Sequence, residues 1–133
     1  MLHNIAMNLH VSLEAINPDS LEKIPHKEGF RLSYGGYWLD VFVEENKVCL
    51  ECALGPVLEQ STQSALKLSE ILQYNLKCVQ ALKDVLFWEE KERRLFLRRK
   101  LPLEVIQSQK LKENIDDFLL GLEVLEERFF EKR

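Results

Sequence analysis

Gly29-Phe30-Arg31-Leu32-Ser33-Tyr34, Gly35-Gly36, Tyr37-Trp38-Leu39-Asp40-Val41-Phe42-Val43 is the stretch that decides the fold. Phe30, Leu32 and Tyr34 alternate with Arg31 and Ser33, the period of two that marks a half-buried strand. The second run is rich in aromatic and β-branched residues, which suit a pleated surface. Two glycines between such runs predict a tight hairpin, because glycine reaches positive φ without a Cβ clash. Glu44-Glu45-Asn46-Lys47 then fits a second, longer hairpin loop before a third strand, Val48-Cys49-Leu50-Glu51-Cys52-Ala53-Leu54, which Gly55-Pro56 stops. The expectation is an antiparallel three-strand meander. So small a sheet needs a cover on its apolar face.

The flanking segments have the periodicity to supply that cover. Upstream, Leu2, Ile5, Leu9, Leu13 and Ile16 form one stripe of an amphipathic helix, ended by Asn17-Pro18. Residues 17–28 carry two prolines and read as a connection with at most a short helical turn. Downstream, Ser61 or Thr62 is the candidate N-cap of a second helix. Ala65, Leu68, Leu72, Leu76 and Val79 make its stripe, and Leu66, Ile71, Tyr74 and Cys78 broaden it. That girth exceeds what one sheet face requires, so a subunit contact is expected there. Val85 to Trp88 and Arg94 to Arg98 read as paired strands around a charged turn, with Pro102 breaking the ladder. Leu111, Ile115, Phe118, Leu122, Leu125 and Phe129 predict a last helix. The predicted class is α+β, in the order α-β-β-β-α-β-β-α, as a single domain over residues 1–133.

Composition narrows the function. The 133 residues are 46% hydrophobic and 30% charged, enough to bury a core without a metal or disulfide. A net charge of −4 argues against a general nucleic-acid binder. No apolar run is long enough to insert in a membrane, and the N-terminus lacks signal-peptide character. Three cysteines without such a signal are expected to be reduced thiols in a cytoplasmic protein.

Catalytic and metal chemistry find no support. Cys49-Leu50-Glu51-Cys52 has redox spacing, but in a strand its two thiols point to opposite faces, so both read as small buried hydrophobes. His3 and His10 are too far apart for a metal pair on one helix, and His26 sits alone in a loop. Phosphate-binding and hydrolase motifs are absent, and no enzyme and no cofactor are expected. Arg93, Arg94, Arg98, Arg99 and Lys100 form a basic cluster. It reads first as the charged guard of an edge strand and second as a contact patch for an acidic partner protein or nucleic acid, on Arg94, Arg98 and Arg99.

Two longer motifs carry a resemblance. Cys52-Ala53-Leu54-Gly55-Pro56-Val57-Leu58 is similar to a strand-then-"PLG-x-LP" corner, with Ala53 where proline usually stands. Leu95-Phe96-Leu97-Arg98-Arg99-Lys100-Leu101-Pro102-Leu103 is similar to an "L-x-L-x-R-x-L-P-L" entry to a last helix. Across nearly its whole length the chain resembles the class I type III secretion chaperones, the Tir-chaperone-like proteins. The resemblance implies a dimer that holds the N-terminal region of a secreted effector or gatekeeper protein in an export-competent, extended state without ATP. It also implies pairing with itself or with a second chaperone subunit. Some members also act on transcription, and the basic cluster motivates an alternative reading as a regulator that binds RNA polymerase.

The expected cargo contacts are Leu2, Ile5, Leu9, Phe30, Leu32, Tyr34 and Trp38, on the first helix and the meander. The expected subunit contacts are Ile71, Tyr74, Cys78 and Phe87, on the second helix and the strand after it.

Overall fold

The computed structural model describes residues 2–78, 84–107 and 109–130, with backbone alone for 2–4, 74–78 and 107. Helix α1 (Leu2–Ala15) leads into four strands, β1 (Ser20–Lys23), β2 (Gly29–Tyr34), β3 (Tyr37–Glu44) and β4 (Lys47–Leu54). Helix α2 (Thr62–Cys78), strands β5 (Val85–Glu89) and β6 (Arg94–Pro102), a 3₁₀ turn (Leu103–Gln107) and helix α3 (Lys110–Phe129) follow. The α+β class and the order of the predicted elements hold.

The sheet has six strands in the order β1-β2-β3-β4-β6-β5, every neighbouring pair antiparallel. Three sequence expectations are corrected here. Residues 17–28 contain strand β1, which pairs Leu21 with Leu32 along the edge of β2. Its four residues are too few for alternation to stand out between two prolines. The loop after β3 is shorter than expected, because Glu44 pairs with Lys47 and only Glu45 and Asn46 turn. Both take positive φ, 53° and 63°, the backbone of a two-residue turn that matches strand twist. Strand β6 is not an edge strand, since it lies between β4 and β5.

Opposed residues in an antiparallel ladder share a face, so the register sorts the whole sheet. Leu32, Leu39, Cys52, Leu97 and Leu86 form one transverse row on the covered face. Above it lie Leu9 and Leu13 of α1, Val105 and Ile106 of the 3₁₀ turn, and Leu111, Ile115, Phe118 and Leu122 of α3. The six stripe residues predicted for the last helix are all buried. Ser61 caps α2 as expected, its Oγ accepting the Ser64 N–H at 3.1 Å. Gly55 closes β4 at φ +76°. Its N–H donates to Glu126 Oε2 of α3 at 3.0 Å, and Tyr37 Oη donates to the other carboxylate oxygen at 3.3 Å. One carboxylate thereby ties the end of α3 to the strand corner.

Candidate protein-binding surfaces

Among the described residues the helices leave the second face of the sheet uncovered, and it is here that the register makes a surface. Ala53 opposes Phe96, and Phe96 opposes Phe87. Trp38, next to the Leu39–Cys52 pair, lines the same concavity of about 710 Å³. The Phe87 and Phe96 rings stack at 5.6 Å. Trp38 is 55% exposed. The next row carries charge that is already paired. Arg31 donates twice to Asp40, at 2.8 and 3.2 Å, and Arg98 Nε donates to Glu51 at 2.7 Å while its guanidinium lies 4.9 Å from the Phe87 ring. An aromatic row beside self-neutralised charges can bury apolar side chains at low electrostatic cost.

A second apolar surface lies on α1. Met7 and Val11, one turn apart, are each 63% exposed. Val11 and Ala15 border a groove of about 310 Å³ with Leu111 and Lys112 at the start of α3. The outer edges of β1 and β5 have no strand partner among the described residues.

The predicted cargo contacts divide by these faces. Leu9 and Leu32 are fully buried and Phe30 nearly so, on the covered side, where they are core. Ile5 is half-buried against that core. Tyr34 is half-buried and donates to Asp116 at 2.8 Å. The Leu2 side chain lies outside the described residues. Trp38 alone of the seven is both described and widely exposed. Alternation showed which residues share a face, not which face the helices take. Met7 and Val11 were missed because they lie off the main stripe of α1.

Of the predicted subunit contacts, Ile71 is fully buried within the chain. Tyr74 and Cys78 side chains lie outside the described residues. Phe87 is half-buried on the uncovered face. On α2 it is Leu66, 67% exposed, that faces outward.

The basic cluster is divided, since neighbours on a strand alternate sides: Arg94 and Arg98 share the uncovered face with Phe96, and Arg99 takes the other. Arg94 donates to the Gly55 carbonyl at 2.7 Å. Arg99 is 4% exposed on the core side. It is held by Asp84 at 2.5 and 3.1 Å, by Asp117 at 2.9 Å and by Asn114 Oδ1 at 3.2 Å. These ties leave Arg99 unavailable to a partner.

Cys49 and Cys52 are both buried, on opposite faces. Burial pushes both thiols up, Cys52 to about 12, and the Cys52 thiol donates to the Trp38 carbonyl. They are held as thiols rather than reactive thiolates. Among the described residues no group of three His, Cys, Asp or Glu could hold a metal. None of the described helices is long and apolar enough to cross a membrane.

The Tir chaperone protein (CesT) family matches residues 32–126, from the middle of β2 to the last turns of α3. The chain belongs to the CesT family. Its class is therefore that of type III secretion chaperones, which bind secreted effector proteins and are not enzymes. The matched span begins after α1 and β1, so the groove on α1 lies partly outside it. No curated protein matches this CesT family chain.

Proposed function

We propose that this CesT family member is a cytoplasmic chaperone, a single domain over residues 1–133, that keeps the N-terminal region of a secreted effector or gatekeeper protein extended and export-competent. The observation that carries the reading is apolar surface left open at two separate places, the Met7–Val11 ridge of α1 and Trp38 on the uncovered sheet face. An extended cargo segment takes its backbone hydrogen bonds at a sheet edge and seats its side chains in such grooves. The Phe87–Phe96 end of the uncovered face serves the other requirement. There we place a second subunit, either a copy of this chain or another chaperone.

Affinity capture from the native host, with mass spectrometry, tests the cargo role. The wild-type chain is expected to recover a secreted protein through its N-terminal region. Val11→Asp with Trp38→Ala should lower that recovery at least about tenfold, the equivalent of about 1.4 kcal/mol, with circular dichroism unchanged. Equal recovery by the variant would remove both surfaces from the cargo site, and repeated capture of no secreted protein would remove the function.

A further inference from the structure

The outer face of α3 is used by neither the fold nor the proposed cargo surfaces. Leu120 and Val124 stand there one helical turn apart, 60% and 57% exposed. Side chains at this spacing form a single ridge, the unit that packs between helices. Around the ridge the exposed side chains are predominantly acidic, Glu113, Asp116, Asp117, Glu123 and Glu127, with Arg128 one turn beyond Val124. Asp116 is held by Lys112 and Tyr34, and Asp117 by Arg99. The face thus has an apolar centre and an acidic surround, and α3 carries a net −3 of the chain's −4.

Charge selects the occupant. A second copy would oppose like charge to like charge across a two-fold axis. An anionic membrane and a nucleic acid are repelled for the same reason. A helix that presents apolar residues at i and i+4, flanked by lysine or arginine, satisfies both parts at once. We propose that the Leu120–Val124 face of α3 is a docking site for a basic amphipathic helix of a partner protein, distinct from the cargo and subunit contacts. The ridge packs against the partner's apolar stripe, and Glu113, Glu123 and Glu127 meet its flanking cations.

The test uses the full chain and a fluorescein-labelled synthetic peptide of leucine and lysine patterned as an amphipathic helix. A peptide of the same composition in scrambled order is the control. Fluorescence anisotropy is expected to give binding at least about tenfold tighter for the patterned peptide than for the scrambled one. Leu120→Ser with Val124→Ser, which leaves the charge unchanged, should remove that difference. Glu123→Gln with Glu127→Gln should weaken binding and flatten its salt dependence. Circular dichroism and cargo recovery should stay at wild-type level in both variants, which separates this site from the cargo role. Equal binding of the two peptides, or wild-type binding by Leu120→Ser with Val124→Ser, would overturn the proposal. So would a lowered sedimentation coefficient of that variant, which would make the face a subunit contact.

Discussion

Tyr37 shows how much one side chain can report. It neighbours the Gly35-Gly36 turn, yet its hydroxyl reaches the last turns of α3 and donates to Glu126. Burial first, and the Glu126 carboxylate second, push its phenol up to about 12 from an ordinary 10. A group whose folded pKa is raised contributes stability that is fully present below its unfolded value and lost as pH rises through the folded value. The chain is therefore expected to weaken between about pH 10 and pH 12. Phenolate absorbance should show a tyrosine ionising late, in step with loss of tertiary structure. Tyr37→Phe should remove that late ionisation and reduce the alkaline loss. An unchanged titration curve in Tyr37→Phe would rule out this assignment.

At the scale of elements, strands β5 and β6 and helix α3 are joined by a buried charge cluster rather than by apolar packing alone. Arg99 on β6 meets Asp84, immediately before β5, and Asp117 and Asn114 on α3. Its guanidinium also lies 5.8 Å from the Phe118 ring. Burial opposes this charge, but the hydrogen bonds of Asp84 and Asp117 outweigh it and raise the Arg99 pKa. Removing one partner of such a set strands the other in a poor solvent, at a cost of about 3–5 kcal/mol. Urea unfolding should show that loss for Arg99→Ala. Adding Asp84→Leu to an Arg99→Met background should recover much of it, because no uncompensated buried charge then remains and Asp117 is 57% exposed to water. A loss below about 1 kcal/mol for Arg99→Ala would mean that water reaches the cluster and screens it. Arg98, the adjacent residue, faces the other way and is expected to contribute far less to folding.

The whole molecule places its covered and uncovered sheet faces in different roles. The covered face is closed by α1, the 3₁₀ turn and α3. The other presents Phe87, Phe96 and Trp38 to the outside, and Phe87 and Phe96 are where we propose the subunit contact. Phe87→Asp with Phe96→Asp would place two charges where aromatic surface is to be desolvated. Light scattering should then report the mass of one chain where the wild type gives two, with secondary structure retained unless folding and assembly are coupled. Dimers that persist in the variant would move the interface elsewhere, with Leu66 of α2 the next surface to change.

The sequence by itself determined the α+β class, the buried stripe of α3, the glycine hairpin and the opposed cysteines. Each follows from local periodicity or from a backbone angle that few residues adopt, and both are written in neighbouring residues. Tertiary structure alone decided which sheet face the helices cover, and so whether Phe30 and Leu32 or Trp38 and Phe87 would be open. It made β6 an interior strand, which turned Arg99 from a candidate contact into part of the core. It also closed Ile71 inside the chain while leaving Met7, Val11, Leu120 and Val124 outside. Periodicity gives the angle between side chains about a helix or strand. Only the arrival of distant elements fixes which of those angles meets water, and the proposed binding surfaces are made of that difference.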